Sequence, residues 1–289
     1  MLKKLCGTLA VVALAMCMGA CNGARDTAFE IGERSGKGFM TKELVRGDRH
    51  RKYAVFVPLD YQAGHKYPVI VFLHGIGETG SDAHANLRVG LAPFVADRAS
   101  SFPFICIFPQ SDGGWSEDSE QAQDIFTALE DVAKNYTIDR DCVSLTGLST
   151  GGVGTWAIGA KYSDKFSALV PMGSNGTADK WVPNLVNIPI RAYCNGSDMF
   201  AGFGGNDSGM VEKIKAAGGT KAEFIPGQGS GHNCWECVYS DGELFSWMQQ
   251  QRISSRTKAS GAAAPKSTSS STPVRANGQA DSTAAIRPN

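Results

Sequence analysis

Gly147-Leu148-Ser149-Thr150-Gly151 is the sole G-x-S-x-G in the chain, and Gly152 follows it. Glycines two residues either side of a serine let a strand and a helix close around a sharp turn that exposes the hydroxyl. The chemistry such a serine can do is nucleophilic attack on a carbonyl, given a base, an acid to orient that base, and N–H donors for the oxyanion. Of the five histidines (His50, His65, His74, His84 and His232), only His232 follows both the serine and a candidate acid. With the chain order serine, acid, histidine, it is the expected base. Asp198 is the first candidate for the acid, because it follows the apolar segment Ile190–Cys194 through the turn Asn195-Gly196-Ser197. Asp207 in a Gly-rich loop is second and Asp179 third, and an Asx-type turn is an alternative role for Asp198. Backbone N–H groups of Thr150 and Ile76 are the expected oxyanion donors, Ile76 lying in the glycine-rich turn His74-Gly75-Ile76-Gly77. His74 precedes the serine and reads as a packing or hydrogen-bonding residue of that turn.

These groups need a frame. Val69–Leu73 and Phe104–Phe108 are short continuous apolar runs rich in β-branched or aromatic residues, the pattern of strands covered on both faces. Cys142–Thr146 is a third buried strand running into the serine turn, and the helix Val153–Lys161 follows. Tyr53–Val57 alternates as a half-buried strand does. Gln121–Asn135 repeats with helical period. Ala168–Met172, Ile190–Cys194 and Ala222–Ile225 read as further strands, and Val211–Ala217 and Glu243–Gln250 as helices. The alternation predicts an α/β fold with a mostly parallel central sheet and helices on both faces, with chemistry beyond the carboxyl ends of the strands.

Residues 1–20 combine Lys3 and Lys4, an apolar run from Leu9 to Met18 and a small-residue exit, as a secretory signal does. Met18-Gly19-Ala20-Cys21 also resembles a bacterial lipobox, which would lipidate Cys21 and anchor the mature chain at a membrane. Ordinary cleavage beside Ala20 or Ala24 competes with it. Asn22 after the cysteine fits outer-membrane sorting, with periplasmic or secreted forms as the alternatives. Residues 21–50 are expected to be a linker and lead-in strand, and 51–252 one domain. Residues 253–289 read as a disordered Ser/Thr/Ala/Pro-rich tail. The chain has 28 cationic and 28 anionic residues. Setting aside the signal and tail leaves the rest about six charges negative, which argues against a nucleic-acid partner.

Tyr67-Pro68-Val69-Ile70-Val71-Phe72-Leu73-His74-Gly75, Gly77-Glu78-Thr79-Gly80-Ser81-Asp82, Pro109-Gln110, the serine turn with Gly154-Thr155-Trp156, and Gly231-His232-Asn233-Cys234-Trp235 form a wider pattern. Tyr239 and Glu243-Leu244-Phe245-Ser246-Trp247 complete it. Together they resemble the α/β-hydrolase superfamily, in particular exported esterases and predicted peptidases related to dienelactone hydrolases, polyhydroxybutyrate depolymerases and feruloyl or acetylxylan esterases. The resemblance spans roughly Arg51 to Met248. It implies a Ser149–Asp198–His232 triad acting on a small or polymer-borne carboxylic ester, without a cofactor. Thr150 stands where this group usually has Met, and Asn195-Gly196-Ser197-Asp198 replaces its usual His-Gly-x-x-Asp.

In that fold, Cys106 and Cys142 are expected as unpaired core thiols on strands flanking Val69–Leu73. Cys234 or Cys237 is expected to pair with Cys194, tethering the histidine loop to the acid strand in an oxidising compartment. His232, Cys234 and Cys237 lack a fourth ligand, so no metal site is expected. Trp115 and Trp235 are candidates for an aromatic pocket wall, with packing as the competing role. A serine peptidase and a non-catalytic binding module on the same scaffold are the alternatives to an esterase. With 51–252 read as one domain and no propeller or gating domain expected beside it, the peptidase is the less favoured of these.

Overall fold

The computed structural model describes residues 35–260 of the 289. Eight strands form one sheet in the order β1-β2-β4-β3-β5-β6-β7-β8. β1 (Gly38–Arg46) and β2 (Arg49–Val57) make an antiparallel hairpin, and β2 also runs antiparallel to β4 (Ile105–Pro109). β3 (Tyr67–Leu73), β4, β5 (Ile138–Leu148), β6 (Ala168–Met172), β7 (Ile190–Asn195) and β8 (Ala222–Gly227) run parallel. The helices are α1 (Leu91–Asp97), α2 (Glu120–Asn135), α3 (Thr150–Lys161), α4 (Val182–Leu185), α5 (Gly205–Ala216), α6 (Trp235–Ser240), α7 (Gly242–Gln250) and α8 (Ile253–Ser260).

Successive strand side chains point to opposite faces, which explains why β3 is apolar throughout. Val69, Val71 and Leu73 enter a core with Ile125 of α2 and Trp156 and Ile158 of α3. Ile70 and Phe72 enter the other, with Leu91 of α1, Val238 of α6 and Leu244 of α7. Cys106 and Cys142 are buried free thiols on β4 and β5, the strands on either side of β3.

The folded part is wider than residues 51–252. All of β1 and the start of β2 lie in the stretch expected to be linker and lead-in strand, and they pair from Gly38↔Val57 to Arg46↔Arg49. At the other end, the first residues of the expected disordered tail form α8. Polar anchors hold it there, which an argument from apolar content misses. The Ser254 hydroxyl donates to Asp141 at 2.6 Å, and buried Arg256 donates to the carbonyls of Ser163 and Phe166 at 3.0 and 2.5 Å. α5 starts six residues before the expected Val211, its early turns hidden by Gly204, Gly205 and Gly209. The signal, Cys21 and the tail beyond 260 lie outside the described residues.

Candidate active site

β5 ends at Leu148 and α3 begins at Thr150, so Ser149 alone makes the turn, with φ 54° and ψ −118°. A non-glycine residue with positive φ is strained and persists only where its surroundings fix it. Here the Ser149 N–H donates to the Met172 carbonyl at the end of β6, 2.9 Å away. The flanking glycines are steric necessities. A Cβ on Gly147 would lie 2.4 Å from the Gly151 carbonyl oxygen, and one on Gly151 would lie 2.1 Å from that of Leu73. Both clashes are with backbone, which has no rotamer to escape into. Gly151→Ala is therefore expected to cost about 3 kcal/mol or more, read as a lower urea midpoint or loss of soluble protein; an unchanged midpoint would contradict this packing.

The Ser149 hydroxyl faces the imidazole of His232, with Oγ 2.9 Å from Nε2. The other ring nitrogen, Nδ1, is 2.6 Å from Asp198 Oδ2. Asp198 is fully buried, and its second oxygen accepts the backbone N–H groups of Phe200 and Ala201 at 3.0 and 3.1 Å. The serine, histidine and aspartate singled out in the sequence are thus brought into one hydrogen-bonded line. Gly173, with φ 54°, leaves room for it, since a Cβ there would sit 3.3 Å from Asp198 Oδ2 and 3.4 Å from His232 Cε1.

Asp207 is placed elsewhere. It is buried under α3, accepting the Trp156 indole N–H at 2.8 Å and the Ser174 N–H at 2.9 Å. Burial, chiefly, pushes its carboxyl up to about 6. Asp179 is exposed and paired with Lys213 at 2.5 Å.

Facing Ser149, Gly75 approaches so closely that a Cβ on it would lie 3.5 Å from that of the serine. Ile76 and Thr150 each open a helical turn, Ile76–Glu78 and α3, so their N–H groups have no intrahelical acceptor. His74 fixes this loop. Its Nδ1 lies 2.7 Å from the Gly75 carbonyl, which it donates to, while Nε2 accepts the Ser111 N–H at 2.9 Å. Burial lowers its pKa, consistent with a neutral ring in a hydrogen-bonding role. Trp115 belongs to the same brace. It is only 5% exposed, donates its indole N–H to the His74 carbonyl at 3.0 Å and abuts Gly154 of α3. It supports the loop from inside, which is the packing role that competed with a pocket wall in the sequence. Trp235 is also buried, its ring edge-on to His232 at 5.2 Å, so it backs the imidazole.

The expected disulfide is absent: Cys194, Cys234 and Cys237 are free. The Cys194 thiol faces Asp198 Oδ2 at 3.5 Å and that of Cys234 faces the Tyr193 carbonyl at 3.7 Å, while Cys237 is exposed on α6. An amide supplies the tether instead. Buried Asn195, at the end of β7, donates to the carbonyls of Gly231 and Asn233 at 3.0 and 3.1 Å and accepts the Gly229 N–H at 3.2 Å. It thereby clamps the His232 loop on both sides. Neither Asn195 nor Phe200, whose exposed ring lies 5.2 Å from that of His232, was among the sequence candidates.

No family model matches the chain. A curated relative, an uncharacterized secreted protein of Arthroderma benhamiae, is 30% identical over 130 residues, which cover 41% of this chain and 13% of that protein. Among solved structures, a thermostable esterase superposes with a TM-score of 0.66 at 24% identity, over 74% of this chain and 63% of the esterase. A ferulic acid esterase gives 0.57 at 22% identity, over 73% and 96%. The acylaminoacyl peptidase of Pyrococcus horikoshii gives 0.54 at 15% identity, over 74% and 41%. The chain has the α/β-hydrolase fold. As an α/β-hydrolase-fold protein, it holds its serine turn, the Gly75-Ile76 loop, Asp198 and His232 on loops beyond the carboxyl ends of β5, β3, β7 and β8, respectively.

Proposed function

We propose that this protein is a serine hydrolase that cleaves carboxylic esters through an acyl-enzyme on Ser149. The observation that supports it most is the continuous line from Asp198 Oδ2 through His232 to Ser149 Oγ, with both links of hydrogen-bond length. His232 Nε2 accepts the serine proton as Oγ attacks the carbonyl carbon, and Asp198 steadies the imidazolium that forms. The developing oxyanion rests on the N–H groups of Ile76 and Thr150, helped by the positive end of α3. His232 then protonates the leaving alcohol, and water, deprotonated by the same ring, releases the acid. No step calls for a cofactor.

Export belongs to the same proposal, supported by the signal-like residues 1–20 and by the secreted description of the fungal relative. Lipidation of Cys21 is the mode of anchoring that the Met18–Cys21 pattern suggests.

Esters are favoured over peptides because the two esterases superpose at 24 and 22% identity with TM-scores of 0.66 and 0.57, against 15% and 0.54 for the peptidase. The test sets p-nitrophenyl acetate and butyrate against aminoacyl p-nitroanilides, with a fluorophosphonate probe reporting on Ser149. Turnover of the esters with labelling at Ser149 is the expected result. Anilide cleavage without ester turnover would make the protein a peptidase, and absence of both turnover and labelling would leave a binding scaffold.

A further inference from the structure

Five large hydrophobic side chains stand out as exposed among the described residues: Val45, Ile76, Met199, Phe200 and Phe203. Val45 is on the edge hairpin, but the other four belong to the two loops that carry Ile76 and Asp198. Met199, Phe200 and Phe203 are 72, 71 and 64% exposed within a single five-residue stretch. Clustered apolar exposure of this kind marks a surface that meets a ligand.

The stretch is built to hold its shape. Asp198 Oδ1 accepts the N–H groups of Phe200 and Ala201, and the Asp198 carbonyl accepts that of Phe203 at 2.6 Å. One carboxylate therefore orients His232 with one oxygen and the aromatic loop with the other. Phe203 has φ 56° between Gly202 and Gly204, both also at positive φ. A bulky side chain in this region is strained, and here the strain leaves an aromatic ring in solvent, where it gains no burial in return.

We infer that Met199, Phe200 and Phe203 form the subsite for the alcohol portion of the ester, and that this portion is apolar, with an aromatic group preferred. The inference rests on the esterase reading and follows from its geometry. With the carbonyl carbon at Ser149 Oγ and the carbonyl oxygen toward Ile76 and Thr150, the leaving oxygen must face His232 Nε2, which protonates it. The substituent on that oxygen then passes the imidazole. Buried Trp235 stands edge-on to that ring at 5.2 Å, and the exposed surface beside it, also at 5.2 Å, is Phe200. The acyl group leaves the carbonyl carbon in the other direction.

Two ester pairs separate the directions. Phenethyl and ethyl acetate differ only in the alcohol; ethyl hydrocinnamate and ethyl acetate differ only in the acyl group. The wild type is expected to favour phenethyl over ethyl acetate by about tenfold in kcat/KM, the discrimination a hydrophobic contact of this size supplies. Phe200→Ala is expected to bring that ratio close to one and Phe200→Leu to restore part of it, while the hydrocinnamate-to-acetate ratio stays within about twofold. A Phe200→Ala variant that changes the acyl ratio and keeps the alcohol ratio would overturn the inference, as would a wild type indifferent to the alcohol. A wild type that hydrolyses neither series would instead refute the esterase reading. Since Phe200 is mostly exposed, its truncation leaves the core intact, and an unchanged melting temperature confirms that the ratios compare folded proteins.

Discussion

Replacing Ser149 by Ala is expected to lower kcat for p-nitrophenyl acetate by roughly four to six orders of magnitude, the range over which loss of a triad serine acts. It should do so without unfolding the protein. The hydroxyl makes one side-chain hydrogen bond, to a half-buried His232 ring that solvent can reach, and the Ser149 N–H bond to Met172 does not depend on the side chain. The turn's positive φ strains alanine as it does serine, so the variant inherits the strain and adds little. Steady-state kinetics with a parallel melting curve checks both halves. Loss of fluorophosphonate labelling should accompany loss of turnover, because Oγ is the atom that would be phosphonylated. Activity equal to wild type would remove Ser149 from the mechanism and with it the proposed function.

That the serine is legible in the sequence has a local cause. Gly147, Ser149 and Gly151 sit within five residues, and the steric demand they answer, passage between Leu73 and Met172, is the same wherever such a turn is made. β3 is legible for a related reason: a strand covered on both faces must be apolar at every position. Asp198 and His232 were reachable through chain order and strand ends. What could not be read depends on groups far apart in sequence. Asn195 meets Gly229, Gly231 and Asn233 only after β7 and β8 pair, so a buried amide and a disulfide were equally compatible with the sequence around Cys194. Trp115 looked like a pocket residue because its loop does lie by the site, but its indole N–H turns inward to His74. α8 was obscured because Asp141, Ser163 and Phe166 hold it through hydrogen bonds, while its composition matches the polar tail that follows. The exposure of Met199, Phe200 and Phe203 runs against the ordinary burial of such residues, and no pattern in the chain announces it.

The two buried aspartates should separate in kind. Asp198→Asn is expected to reduce kcat by about four orders of magnitude with a small change in stability. Asp198 Oδ1 already accepts two backbone N–H groups, so the asparagine keeps its oxygen there and turns its NH2 toward His232. Nδ1 must then accept instead of donate, which moves the ring proton to Nε2, and a protonated Nε2 cannot take the proton of Ser149. Asp207→Asn has the opposite profile. Both Asp207 oxygens accept, one from Trp156 and the other from Ser174, so an amide NH2 necessarily meets a buried donor. The expected cost is about 1–3 kcal/mol of stability, with kcat close to wild type because neither partner touches the substrate. The pH dependence of folding gives a second discriminator. Burial raises the Asp207 carboxyl from 3.8 to about 6 in the folded protein. Between those values the folded state holds a proton that the unfolded chain has released, so this group's contribution to stability falls as pH rises through that window. Asp207→Asn should flatten that slope in urea titrations. Should Asp207→Asn be the variant that abolishes turnover while Asp198→Asn keeps it, the acid of the triad would have to be reassigned and the line from Asp198 to Ser149 read as structural.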